Sequence, residues 1–289
     1  MKHILRTVVA LGLAAAPSLT QPAFAQTPPA TPPATAAPAP KPAEPAPSKM
    51  ATLTVGVDVT SAYLFRGILQ SDTGAIIQPY IDIGLAVGHG VTVNFGNWES
   101  QHSSLPGKFY ESDYYGSVTG TAGKWKPGVL FTSYTSPKDA FKTVNELAFV
   151  LSYDDSAMKM PWSPKIVLAQ ELTDGQADGG LNKGTYLELG ARPTKKLVTG
   201  GKAAFAVVIP LKLGLGVHDY YEFGGKSNKF GYLDVGILGS VPITLKKGTF
   251  EIHGGVDFFR LGDNMPIGTR FAMGDHGKAV VSAGVSYVY

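Results

Sequence analysis

Ala279–Tyr289 reads AVVSAGVSYVY, and its alternation decides what the chain can fold into. Ala279, Val281, Ala283, Val285, Tyr287 and Tyr289 share one parity, while Ser282, Gly284 and Ser286 share the other. Successive side chains of a β-strand point to opposite faces, so this stretch has one apolar face and one small, polar face. About ten residues of that pattern make the unit of a transmembrane β-barrel, which meets lipid on one side and a polar lumen on the other. The last strand of a secreted, soluble β-sandwich carries the same pattern, so the rest of the chain must separate the two.

Residues 50–289 keep this period of two and are punctuated by Gly, Asn, Asp and Ser clusters. They show no helical period and no apolar run of about eighteen residues, the length a spanning helix needs. Strands are expected at about 52–66, 77–87, 91–98, 109–118, 129–135, 145–153, 165–172, 185–192, 203–217, 230–237, 250–259 and 279–289. Twelve is an even number, as a bacterial barrel with both ends in the periplasm requires. The fold class is therefore all-β: a transmembrane, antiparallel, up-and-down β-barrel of about twelve strands. Connections at Gly88, 119–123, 154–161, 193–202 and 242–248 are expected at the periplasmic side, and the longer ones near Gly67, Ser100, Ser136, Thr173, His218 and Gly262 outside. Aromatics near strand ends, among them Tyr63, Trp98, Tyr110, Trp125, Trp162, Tyr186, Tyr220, Tyr221, Phe250, Phe258 and Tyr287, are expected to form the interfacial girdles. Tyr287 and Tyr289 also resemble the C-terminal aromatic signature read by barrel-assembly machinery. Pro79 and Pro210 fall inside expected strands, where a missing N–H has no water to compensate, so a break or bulge is expected at each.

Upstream, residues 1–25 combine Lys2 and Arg6, an apolar run from Val8 to Ala16, and Ala23 and Ala25 around Phe24. This is the pattern of a cleaved secretory signal peptide. Residues 26–49 are nearly all Pro, Ala and Thr, so they can bury little and are expected to form an extended, disordered spacer that could reach peptidoglycan. The chain has no cysteine, which excludes a disulfide framework. A net charge of +3 is too mild to argue for nucleic acid. A mean hydropathy of +0.05 suits a barrel whose lipid-facing band is diluted by lumen and loop residues.

Thr60 to Asp72, TSAYLFRGILQSD, is followed by QPYIDIGLAVG and, at Asn94 to Gln101, by NFGNWESQ. This run resembles the opening of the TorF-type porins, an uncharacterised bacterial outer-membrane β-barrel family with an S-x-Y-x-F-R-G-x-x-Q-S motif. Ser61, Tyr63, Phe65, Arg66, Gly67, Gln70 and Ser71 match it. The resemblance covers about forty residues, implies a barrel and passive transport, and offers no substrate.

Taking the non-lipid parity of each strand inward gathers Asp58, Asp82, Glu111, Asp113, Glu146, Glu171, Glu188, Asp234, Glu251 and Asp257. Against them stand the bases Arg66, Lys165, Arg192 and Lys212. Such groups can line a pathway that prefers cations, or pair across a narrow lumen into a polar plug. No enzyme is expected. His102, Ser103 and Ser104 are neighbours, but adjacent side chains of an extended chain point apart and no nucleophile motif surrounds them. In the run from Asp174 to Gly179, Gln176 stands at the third calcium-loop position and Thr185 at the twelfth, so the bidentate acid is missing. No metal or cofactor is expected. The reading is an outer-membrane, porin-like channel for passive diffusion of small polar solutes, weakly preferring cations, surrounded by outer-membrane lipid. The alternative is a non-conducting structural or adhesive barrel, linked to the cell wall through its spacer.

Overall fold

The computed structural model describes residues 50–104, 109–173, 175–200 and 203–289. The expected signal peptide and spacer, and Asp174 of the calcium-like run, lie outside them. Twelve strands follow in order: β1 Ala51–Thr60, β2 Ile76–Gly88, β3 Val91–His102, β4 Phe109–Thr119, β5 Trp125–Thr135, β6 Val144–Tyr153 and β7 Lys165–Glu171. β8 runs Thr185–Ala191 and resumes as Thr194–Gly200; β9 runs Ala203–Val208 and resumes as Leu211–His218. β10 Phe230–Leu245, β11 Gly248–Leu261 and β12 Gly277–Val288 complete the set.

Every strand pairs antiparallel with its neighbours in sequence, and β12 returns to β1 with Val55 opposite Tyr287 and Asp58 opposite Gly284. The backbones of Leu53 and Tyr289 exchange hydrogen bonds of 2.8 and 3.4 Å at this seam. The sheet is thus a closed barrel, which leaves no open edge and satisfies its backbone internally, as a lipid environment demands. Side-chain exposure follows the sequence parity. Val59, Ile81, Ile83, Phe95, Phe131, Phe149, Leu168 and Ile237 point out and are exposed, whereas Asp58, Gln78, Thr132, Glu146, Glu188, Asp234 and Ser282 point in and are buried.

Both prolines sit where a donor is not needed. The ladder from β2 to β3 goes from the pair Ile77 and Gln101 to the pair Tyr80 and Trp98, leaving out Pro79. Pro210 occupies the interruption of β9, where its carbonyl accepts from Gly236 N–H at 2.9 Å. Residues 193–202, expected as a turn, instead hold the second half of β8. Its pairing with β9 carries that hairpin onward past the break at Arg192 and Pro193.

The first strand also departs from expectation. β1 stops at Thr60, whose hydroxyl donates to Ala62 carbonyl at 2.7 Å, and the chain turns inward. Tyr63–Phe65 and Ile68–Ser71 then form a small separate hairpin inside the barrel. Arg66 and Gly67 make its tip at φ of 48° and 81°. Glycine tolerates the left-handed region freely, and a Cβ at Gly67 would stand 2.8 Å from the Tyr232 side chain. We call the barrel end holding Ala51 and Tyr289 the proximal rim and the other, where the hairpin lies, the distal rim.

Candidate functional site

The motif hairpin fills the distal half of the lumen. Ala62, Leu64 and Ile68 pack with Tyr186, Tyr220, Tyr221, Tyr232, Leu261 and Val280, all between 0% and 5% exposed. Arg66 is the keystone of this packing. Its Nη2 donates to Glu146 Oε1 at 2.7 Å, its Nη1 to Glu146 Oε2 and to Tyr220 hydroxyl, and its guanidinium lies 4.1 Å from the centre of the Tyr186 ring. Tyr221 hydroxyl donates to Arg66 carbonyl at 3.0 Å. A two-pronged guanidinium pairing inside a packed interior fixes orientation as well as charge.

A second latch joins the hairpin's exit to the final loop. Asp72 Oδ2 accepts from the backbones of Thr269 and Arg270 at 2.7 and 2.9 Å and from Lys278 Nζ at 3.0 Å. Lys278, fully buried at the head of β12, also donates to the carbonyls of Ile267 and Arg270. Arg270 Nη1 reaches back to the carbonyls of Ser61 and Gly74. Partial burial works to raise the Asp72 carboxyl, yet these donors outweigh it and hold the group below its usual range.

Beyond the hairpin the lumen is charged and partly accessible. Lys165 meets Glu188 at 3.0 Å and Lys212 meets Asp234 at 3.1 Å, with the two lysine side chains 25% and 22% exposed to water inside the barrel. His253 Nε2 and Asp58 Oδ1 lie 2.8 Å apart although β12 separates their strands. They meet because Gly284 stands between them, where a Cβ would collide with both side chains. Glu251, one third exposed, lies 3.6 Å from the other nitrogen of His253.

Of the residues expected in the lumen, Asp58, Asp82, Glu111, Asp113, Glu146, Glu171, Glu188, Asp234 and Asp257 are buried on inward-facing strand positions, Lys212 and Glu251 are half-buried there, and Arg192 is half-buried in the break of β8. Arg66 is buried too, but on the hairpin rather than the wall. Asp82 accepts from Asn94 at 3.0 Å, and Glu171 accepts from the backbones of Ala177 and Gly184 at 2.7 Å each, so these partners are neutral. Tyr287 hydroxyl donates to Lys247 carbonyl in the turn between β10 and β11, and Tyr289 is 48% exposed at the seam.

Several aromatics expected in the girdles are interior instead. Tyr63 and Trp98 pack 5.3 Å apart within the lumen, and Tyr186, Tyr220 and Tyr221 are at most 1% exposed. Their strands or loops point inward against the hairpin, which supplies an apolar core that an empty lumen would lack. Trp125, Trp162 and Phe258 are exposed, as girdle residues must be. His102 Nε2 contacts Ser100 Oγ at 2.8 Å, a same-face neighbour two residues away, whereas Ser103 and Ser104 bond to the 73–75 segment. Lys278, Asp72 and Arg270 were not singled out by sequence, because a polar residue at a strand end reads as ordinary surface.

A closed twelve-stranded barrel, apolar outside and charged inside, defines the class: an outer-membrane-type β-barrel of porin-like architecture. Residues 43–194, more than half the chain, match the model of a family described as a bacterial protein of unknown function (Gcw_chp), and the chain belongs to that family. No curated protein matches the chain. Among solved structures it is similar to the NanC porin (10% identity, 82% of this chain and 98% of that one, TM-score 0.47). It is also similar to LpxR from Salmonella typhimurium (7%, 81% and 99%, TM-score 0.41) and to an anion-selective porin from Comamonas acidovorans (9%, 83% and 98%, TM-score 0.35).

Proposed function

We propose that this protein is an outer-membrane channel of a Gram-negative-type envelope, exported by its N-terminal signal, that passes small polar solutes passively and weakly prefers cations. The observation that carries this reading is the proximal lumen, where water reaches inward-facing Lys165, Lys212 and Glu251 directly beneath a docked hairpin. Lys165, Lys212 and His253 are committed to Glu188, Asp234 and Asp58, while Asp82, and Glu171 nearer the distal rim, are bonded to neutral groups. Confined negative charge of this kind concentrates cations, and the effect fades as salt screens it over about 10 Å at 0.1 M. The likeness of Thr60–Asp72 to TorF-type porins points the same way. Tyr287 and Tyr289 serve recognition by the assembly machinery, the exposed apolar band meets outer-membrane lipid, and residues 26–49 reach toward peptidoglycan.

The packing of the hairpin, with Tyr220 and Tyr221 at 1% and 0% exposure, favours a second reading in which the barrel is plugged and structural. Recording in planar bilayers across a KCl gradient separates them. The channel reading expects discrete conductance and a reversal potential on the cation side, moving toward neutrality in Asp82→Asn with Glu251→Gln. Anion selectivity at low salt removes the cation preference. Silence from a folded barrel, even with the hairpin unlatched by Arg66→Ala, establishes the plug.

A further inference from the structure

One row across the proximal lumen differs from the rest. The register that sets Ala191 opposite Leu211 and Leu211 opposite Val235 brings Arg192, Pro210, Gly236 and Asp257 into line over β8, β9, β10 and β11. Pro210 and Gly236 raise no long side chain, so the row is a low shelf with a guanidinium at one end and a carboxylate at the other. Asp257 leans over the shelf, since a Cβ at Gly236 would fall 2.1 Å from its Oδ1 and 3.1 Å from Pro210 Cδ. Arg192 feels the fields of Glu251 and Asp257 without touching either. Among the described residues its guanidinium has no hydrogen bond or ion pair, and neither does the Asp257 carboxylate, which is 4% exposed and feels the charges of Asp234 and Lys212, themselves paired with each other, as well as that of Arg192.

Arg66, Lys165, Lys212, His253 and Lys278 are each closed onto an acid. Where one glycine strand intervenes, at Gly284, the flanking His253 and Asp58 meet at 2.8 Å. Here two strands intervene, each spacing being about 5 Å, and the opposite charges stay apart. A buried charge without a partner is costly, so two opposite charges held apart across a row without long side chains suit a ligand that brings both complements.

We propose that Arg192 and Asp257 form a binding site for small zwitterionic solutes of the amino-acid type, with the solute carboxylate on Arg192 and its ammonium on Asp257. This deepens the channel reading, and rests on it, by naming a solute class for the lumen. Neither single-charge analogue can satisfy both ends, so discrimination comes from leaving one buried charge unpaired.

The test is titration calorimetry of the full chain in detergent with three probes of matched size: β-alanine, propionate and n-propylammonium. β-Alanine is expected to bind at least about tenfold more tightly than either analogue. Arg192→Gln and Asp257→Asn should each abolish that preference, with barrel folding verified by heat-dependent gel mobility. Gly236→Ala keeps both charges but crowds the Asp257 carboxylate, so it should weaken β-alanine and n-propylammonium severalfold and leave propionate unchanged. Equal binding of all three probes, no binding by any, or an unaltered preference in the variants overturns the proposal. Because binding is read without current, a site that binds in a silent barrel refutes the channel and keeps the site; a conducting barrel that ignores β-alanine does the reverse.

Discussion

Arg66→Ala should release the lumen hairpin while leaving the barrel standing. The barrel is closed by twelve strand ladders that do not involve Arg66, whereas the hairpin's ladder is only the short pairing of Tyr63–Phe65 with Ile68–Ser71. The substitution removes both prongs on Glu146, the bond to Tyr220 and the stacking on Tyr186, and strands Glu146 at 1% exposure. Losing one partner of a buried ion pair costs about 3–5 kcal/mol. At about 1.4 kcal/mol per decade, that weakens docking by roughly two to nearly four orders of magnitude. Hydrogen exchange of a peptide spanning Tyr63 to Ser71 reads this directly, since protection falls with the free energy of local opening. Adding Glu146→Leu should recover much of the protection, because the stranded charge accounts for much of the loss. Unchanged exchange in Arg66→Ala, or a double variant that exchanges faster than the single one, would refute the view of Arg66 as keystone.

Acid should open the second latch. Asp72 is held below its ordinary range in the folded chain, so its contribution is present above about pH 4 and disappears as pH falls through the lower folded value. Protease cleavage between Gly262 and His276 should therefore rise only in strong acid, and Asp72→Asn should show that cleavage already at neutral pH; susceptibility that is flat with pH in both proteins would sink the idea. Deleting Tyr289 should lower the amount of protein inserted in the outer membrane more than Tyr289→Phe does, because Phe keeps the aromatic terminus; equal insertion leaves Tyr289 with a place in the seam and nothing further.

The barrel was legible because lipid and lumen impose a period of two on every strand, and Val59, Ile81 or Phe131 cannot exchange faces with Asp58, Asp82 or Thr132 without burying charge in hydrocarbon. The inward acids followed from the same parity. Their partners did not, since meetings such as Lys165 with Glu188 or His253 with Asp58 depend on stagger between strands, and the latter on a glycine two strands' edges share. The hairpin was hidden by its own regularity. Tyr63 and Phe65 continue the parity of Leu53, Val55, Val57 and Val59, so one long strand and a strand followed by a buried hairpin look alike. Two clues were available: about fifteen residues exceed what a membrane strand needs, and Arg66-Gly67 is suited to a turn. The same concealment sent Tyr186, Tyr220 and Tyr221 to the girdles on paper and to the core in the fold.

The hairpin is written early in the chain, but what holds it comes late. Arg66 waits for Glu146, 80 residues on, and for Tyr220, 154 residues on, while Asp72 waits for Lys278, 206 residues on, at the start of the last strand. A segment that leaves the ribosome among the first can therefore find its seat only among the last, once β12 has come to lie against β1. Until then its apolar residues have no home, and the unfinished barrel carries the hairpin loose. Seating of the hairpin thus marks the moment at which assembly ends.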